Sequence, residues 1–248
     1  MITHKSQREL DLMRQAGKIV AEALEIMAGA IRPGLKTIQL DRLAERHIRR
    51  QGGLPAFKGY RGFPASICAS INEEVVHGIP GLRRLQEGDI ISIDVGVKYK
   101  GYFGDAAATF PVGSISEEAK SLIEATREAL EAGIRQTREG NFLSDISHAV
   151  QSCAENRGFS VVRNYVGHGI GSEMHEEPQV PNFGPPGRGP RLSSGMTLAI
   201  EPMVNTGTWQ VETLADEWTV VTRDGRLSAH FEHTVAIVGG YPEVITVL

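Results

Sequence analysis

Apolar and polar positions alternate along the chain in a way that predicts a helical pair followed by strands, twice over. Ser6-Gln7-Arg8-Glu9 has the form of a capping box, a hydroxyl and a carboxylate three residues apart that can satisfy each other's backbone N–H groups. The helix it opens is expected to run to about Ala30, with Leu10, Met13, Ile19, Ala23 and Ile26 on its apolar side. Arg32-Pro33-Gly34 ends it, and a second helix follows from about Thr37 to Gln51, stopping at Gly52-Gly53. Strands are expected to dominate from Ser66 to Phe110. Helices return at about Ser116 to Arg135 and Leu143 to Arg157, and strands again from Phe159 onward.

That order contains a repeat. Aligning Arg32-Pro33-Gly34 with Arg138-Glu139-Gly140, an offset of 106, superposes Leu40 on Ile146, Ala44 on Val150 and Gly52 on Gly158. Chance likeness between amphipathic helices gives a similar pattern. The spacing is too long for a solenoid, so the alternative is two similar halves, about 1–110 and 111–248, packed about a pseudo-two-fold axis within one domain. Asp94 and Glu201 are separated by almost the same offset, which would put them at the junction of the halves, where pockets often form.

Both acids stand in apolar runs. Asp94 interrupts Ile90-Ile91-Ser92-Ile93-Asp94-Val95, Glu201 interrupts Leu198-Ala199-Ile200-Glu201-Pro202-Met203, and Glu232 precedes Thr234-Val235-Ala236-Ile237. A buried carboxylate costs several kcal/mol unless it is paired, hydrogen-bonded or coordinated, and these runs hold no Arg or Lys. Singly, an acid in an alternating strand faces water, and Asp94 does share a face with Ser92 and Gly96. Three acids in three such runs call for a cation. Lys98-Tyr99-Lys100-Gly101 reads as a turn between strands Ile90 to Val97 and Tyr102 to Phe110; centred between Tyr99 and Lys100, it would set Asp94 directly opposite Asp105. With His168, bracketed by glycines in Gly167-His168-Gly169-Ile170-Gly171, these residues form a set of four carboxylates and one imidazole. Such a set suits a pair of Mn²⁺, Fe²⁺, Co²⁺ or Zn²⁺ ions better than Ca²⁺. Two adjacent ions favour hydrolysis.

Charge and cysteine usage narrow the setting. A formal net charge of -4 over 248 residues leaves no electrostatic footprint for nucleic acid. Cys68 and Cys153 are too far apart and too few for a disulfide framework, which points to a reducing compartment. Met1 to Leu10 is polar and no apolar run reaches membrane-spanning length, so a cytoplasmic location is expected. With no amphipathic stretch left over for a partner, the expected state is a monomer. Among the histidines, His4 is terminal, His47 and His148 lie on amphipathic helices, and His230 and His233 flank Glu232 as supporting or structural groups. His77 stands before a Gly and a Pro; by itself it reads as an ordinary structural histidine.

In order, Ser70-Ile71-Asn72-Glu73, Val76-His77-Gly78-Ile79-Pro80, Asp94, Asp105, Gly167 to Gly171, His175-Glu176-Glu177-Pro178, Ile200-Glu201-Pro202-Met203-Val204 and Phe231-Glu232-His233-Thr234 resemble the motifs of the methionine aminopeptidases. The resemblance covers essentially the whole chain and is strongest to the bacterial type I form. It implies an α/β (α+β) "pita-bread" fold, two pseudo-symmetric halves with a central, curved antiparallel sheet flanked by helices. It implies that Asp94 chelates one metal, His168 and Glu201 the other, and that Asp105 and Glu232 bridge both. His77 and His175 would be catalytic and touch the substrate rather than the metals. A hydroxide bridging the ions would attack the carbonyl of the first residue, with Glu201 as proton shuttle, His175 stabilising the oxyanion and His77 beside the scissile amide nitrogen. The substrates implied are the N-terminal segments of nascent polypeptides, met near the ribosome, with a small second residue.

Tyr60, Phe63, Cys68 and Trp218 match the family's apolar lining for the methionine side chain, although four such residues taken alone could equally be core. Phe57 and Met174 depart from the smaller residue and the phenylalanine expected at neighbouring positions. Two other readings share features of this sequence. Xaa-Pro aminopeptidases and prolidases carry the same five ligands with an added N-terminal domain, and binding modules of the same fold have lost catalysis together with ligands.

Overall fold

The computed structural model describes residues 2–247. Four helices, α1 (Gln7–Ala30), α2 (Thr37–Arg50), α3 (Glu117–Gln136) and α4 (Leu143–Asn156), flank a nine-stranded antiparallel sheet. Each helix begins where its sequence supplies a cap. The Glu9 carboxylate accepts from the Ser6 backbone N–H at 2.8 Å, and the Ser116 hydroxyl accepts from the Ala119 N–H at 3.1 Å. One expectation for α1 fails: Ile26 is 38% exposed, and Met27 is fully buried in its place. The buried stripe Met13, Ala16, Val20, Ala23, Met27 drifts around the helix, because a repeat of 3.6 residues does not stay in one row over 24 residues.

The long hairpin Ile90–Tyr99 and Tyr102–Pro111 organises the first half. Ile91, Ile93, Val95 and Val97 point toward α1 and α2 and join Leu40, Ala44 and Ile48 in one core. Asp94 points the other way. The hairpin corrects the expected register. Lys100 and Gly101 both have positive φ, 47° and 95°, and form a two-residue turn that pairs Tyr99 with Tyr102. Asp94 therefore faces Ala107, and Asp105 faces Gly96, two residues away from the direct pairing that a turn centred one residue earlier would have given. Because the shift is even, both acids keep the same face and become diagonal neighbours.

Across the sheet, Glu232–Val238 pairs with Tyr102–Pro111 on one side and with Thr197–Ile200 on the other, and Gly167–Gly169 pairs with Thr197–Ile200. Pro202 follows Glu201 at the point where Thr197–Ile200 ends and the chain leaves for a smaller sheet through Met203–Asn205. The helix pairs repeat in detail. Gly34 and Gly140, both at positive φ, donate to the carbonyls of Leu85 and Leu192, and the bridges Lys36 to Arg84 and Phe142 to Arg191 follow.

The helices approach the sheet closely where side chains are missing. A Cβ on Gly104 would lie 2.9 Å from the Gly17 nitrogen, and a Cβ on Gly17 would overlap the Ile245 carbonyl. Gly29, near the end of the same helix, has open space around it. Ala is favoured over Gly in a helix by about 1 kcal/mol, whereas overpacking costs about 1–3 kcal/mol. Urea melts should therefore show Gly29→Ala gaining stability and Gly17→Ala losing it; a Gly17→Ala protein more stable than the parent would mean that the Ile245 carbonyl moves aside freely.

Candidate metal centre and active site

The four acids and one imidazole singled out in the sequence come from five separate places and line one cavity of about 170 Å³. Cys68, Asp94, Ala107 and Glu232 occupy one row across four strands. His233 pairs with Ile200, so Glu232 and Glu201 stand beside each other at the adjoining strand ends. Asp105, His168 and Glu232 present ligand atoms that all lie within 4.8 Å of one another. Asp105 and Glu232 are 4% and 2% exposed.

Burial dominates the electrostatics of this wall. It pushes the Asp94 carboxyl well up, with Asp105 and Glu201 adding repulsion, and pushes Glu201 and Glu232 up for the same two reasons. Asp105 rises to about 7, burial outweighing hydrogen bonds from Asp94 and the Ala106 amide. Among the described residues, no Lys or Arg lies within ion-pair distance of the four carboxylates; the nearest basic side chains to Glu201 are the imidazoles of His168 at 3.6 Å and His230 at 3.9 Å, both of which burial keeps neutral. Asp94 Oδ1, Asp105 Oδ1 and Glu232 Oε1 are buried without a hydrogen-bond partner. Orphaned carboxylate oxygens facing one cavity, two of them close together beside an imidazole nitrogen, fit a divalent cation.

His168 is preset for the same task. Its Nδ1 lies 2.8 Å from the Gly169 carbonyl, which can only accept, so Nδ1 carries the hydrogen and Nε2 presents a lone pair toward Glu201. Burial lowers its pKa to about 4, keeping the ring neutral. The glycines on either side have no room for a Cβ, which would strike the carbonyls of Ala199 and Glu177.

His77 and His175 also line the cavity, outside the close cluster of carboxylates. His77 sits at φ 61°, edge-on to Tyr165 and Trp218, and burial, with a smaller contribution from His175, lowers its pKa to about 4. His175 Nδ1 lies 2.8 Å from the Tyr60 hydroxyl, and its ring centroid is 4.2 Å from that of His168. Tyr60, Phe63, Cys68 and Trp218 form the apolar wall, with Phe57 and Met174 beside them. Cys68 and Cys153 are free thiols.

Three features escaped the sequence reading. Arg61 lines the cavity and lowers the His175 pKa after burial, its first cause; nothing in its local sequence marks it. Tyr165 packs on His77 across a long sequence gap. His230, read from the sequence as a supporting or structural group, turns its unpartnered Nε2 toward Glu201, 3.9 Å away, a partner its sequence position beside Glu232 does not reveal. His233 bonds Thr246, His47 pairs with Glu22 on the back of α2, and His4 meets Ser193, all away from the cavity.

Comparison with known proteins identifies the family of the chain. The description of metallopeptidase family M24 matches residues 11–238. Methionine aminopeptidase 1 of Bacillus subtilis is 57% identical over 246 residues, covering 99% of each chain, and the methionine aminopeptidase of Clostridium acetobutylicum is 58% identical over 247 residues, again covering 99% of each. A crystal structure of methionine aminopeptidase from Thermotoga maritima superposes with a TM-score of 0.99 over the whole of both chains at 47% identity. An Xaa-Pro dipeptidase from Bacillus anthracis shares the fold, with a TM-score of 0.76 at 23% identity, but this chain covers 61% of it. The chain belongs to metallopeptidase family M24 and, within it, to the methionine aminopeptidases.

Proposed function

We propose that the protein removes the N-terminal methionine from polypeptides whose second residue is small, using Asp94, Asp105, His168, Glu201 and Glu232 to hold two divalent ions. The observation that carries this reading is the group of buried, partnerless carboxylate oxygens at the foot of an apolar cavity. Asp105 and Glu232, which converge with His168, suit the bridging positions; Asp94 and the His168 and Glu201 pair suit the two sides. Carboxylate and imidazole donors accept Co²⁺, Mn²⁺, Fe²⁺ or Zn²⁺. When bound, such ions supply Lewis acidity, making a water easier to deprotonate and a carbonyl easier to attack.

The side chains of the protein do the rest. Glu201, whose carboxylate burial and the nearby Asp105 make more basic than usual, takes the proton from the attacking water and returns it to the leaving amine. With the Tyr60 hydroxyl donating to His175 Nδ1, Nε2 carries a hydrogen that it can donate to the oxygen of the scissile carbonyl. His77, held neutral, contacts the scissile amide nitrogen. The wall of Tyr60, Phe63, Cys68 and Trp218 receives the methionine side chain through area burial and sulfur to ring contact. The corresponding glycines, bridges and helix pairs support reading the chain as one catalytic domain built from two related halves, 1–110 and 111–248. Among the described residues no helix is long and apolar enough to cross a membrane. A cytoplasmic monomer that meets nascent chains near the ribosome is the setting this substrate implies.

Chelation should abolish activity and Mn²⁺ or Co²⁺ restore it, while Asp105→Ala should bind fewer ions than the parent by elemental analysis; full activity after thorough demetallation would refute the metal reading. His77→Ala and His175→Ala should each keep both ions and a stable fold yet lose about 10² to 10⁴-fold in rate, the scale for a lost proton donor or oxyanion contact. Loss of an ion from either variant would make that histidine a ligand. In a matched peptide series, Met-Ala-Ser should be cleaved far faster than Met-Lys-Ser, Leu-Ala-Ser or an Xaa-Pro peptide. Norleucine at the first position should remain usable, since an apolar pocket separates side chains of such similar size by only about 10 to 200-fold. An Xaa-Pro peptide as the best substrate would move the chain to prolidase chemistry.

A further inference from the structure

Thr3-His4-Lys5 precedes α1 and plays no part in the reading above, yet Lys5 is 9% exposed. Its Nζ donates to Glu176 Oε2 at 2.5 Å and to Thr3 Oγ1 at 2.5 Å, and the Thr3 hydroxyl donates to the same carboxylate oxygen at 2.7 Å. The Lys5 and Glu176 side chains are 5% and 10% exposed, against 57% and 89% for a surface pair such as Lys120 and Glu117. The second oxygen, Oε1, accepts from the Glu173 amide at 3.2 Å and the Ser172 hydroxyl at 3.5 Å. One carboxylate thus ties the N-terminal segment to the turn from Gly171 to Glu176. A side chain at Gly171 would run into Lys5 Cε and Glu176 Oε1, so the turn closes directly over the pair.

The N-terminal segment is a fixed anchor. The Lys5 backbone N–H donates to the Gly195 carbonyl at 2.7 Å, His4 Nε2 meets Ser193 Oγ at 2.8 Å, and the Ser6 and Glu9 capping box locks the following residue to α1. Burial would push the Glu176 carboxyl up, but the bonds from Lys5, Thr3 and Glu173 outweigh it and hold the group below the usual carboxylate range. The turn presents Met174 and His175 to the cavity. Among the described residues the one side-chain hydrogen bond of His175 goes to Tyr60; its backbone is held by the pairing of Glu176 with Gly169 and by the bonds of the turn, to which the Glu176 side chain adds the contacts to Lys5 and Thr3.

We propose that Lys5 and Glu176 are positioning residues whose buried ion pair straps the N-terminal segment to the Gly171 to Glu176 turn and fixes where the His175 imidazole sits. The inference rests on the role proposed for His175. Because Tyr60, Phe63, Cys68 and Trp218 stand on other segments and Met174 is the one apolar lining residue carried by the turn, loss of the strap acts on kcat more than on KM.

The test combines Lys5→Met, Glu176→Gln and the double variant, each in the parent and in a His175→Ala background, with kcat and KM for Met-Ala-Ser and the Mn²⁺ content of each protein. The double variant leaves no unpaired buried charge and so keeps the test open where a single variant fails to fold. In the parent, breaking the strap should lower kcat by about 10 to 100-fold, the scale of a misplaced reacting group, with KM within about threefold and metal content unchanged. In the His175→Ala background the same substitutions should leave the residual kcat unaltered, a non-additivity that simple loss of fold does not produce. Parent-level kcat in a folded double variant, or an equal loss with and without His175, overturns the strap. Parent-level kcat in His175→Ala alone overturns the role of His175 instead.

Discussion

Four carboxylates share the wall of one cavity, and among the described residues no Lys or Arg lies within ion-pair distance of any of them. Their mutual repulsion and desolvation oppose folding, and only protons or bound cations can balance the charge. Burial pushes all four carboxyls upward, Asp105 to about 7, which is the proton side of that balance. Divalent cations are the other side, and on the proposed assignment the lone pair of His168 and the orphaned oxygens of Asp94, Asp105 and Glu232 would receive them. An arrangement this costly persists only where a scaffold overdetermines it.

The scaffold is the sheet. Register rather than sequence proximity brings the acids together: Asp94 and Glu232 lie in one row through Ala107, Asp105 lies on the diagonal, and Glu201 leaves its strand beside Glu232. The opposite face of the hairpin is committed to the core under α1 and α2, so the acids cannot turn inward without burying charge among Ile91, Ile93 and Val95. Close contacts at Gly17 and Gly104 hold the helix against this hairpin. The catalytic cavity is thus as rigid as the packing behind it.

Above that rigid floor, His77 and His175 sit on segments that need separate support. His77 adopts a left-handed backbone conformation between aromatic rings, and His175 belongs to a turn fastened from behind by Glu176. On the proposed assignment, the metal-facing groups lie on strands or, for Glu201, just past a strand end, and the substrate-facing groups on turns or irregular segments.

The amino-acid sequence alone determined the helices, since capping and apolar periodicity are local, and it marked Asp94, Glu201 and Glu232 because charge inside an apolar run is visible without a structure. The methionine aminopeptidase motifs, spread over the whole chain, carried the fold class and the chemistry. Tertiary structure decided the rest. The positive φ of Lys100 and Gly101 set the hairpin register two residues from the expected pairing, and the drift of α1 buried Met27 rather than Ile26. Arg61 at the cavity, Tyr165 against His77, His230 turned to Glu201 and Lys5 bound to Glu176 carry no sequence signal, because each meets a partner far along the chain. Local patterns are fixed by neighbours three or four residues away, whereas these contacts exist only once the sheet has closed, which is where the sequence by itself falls silent.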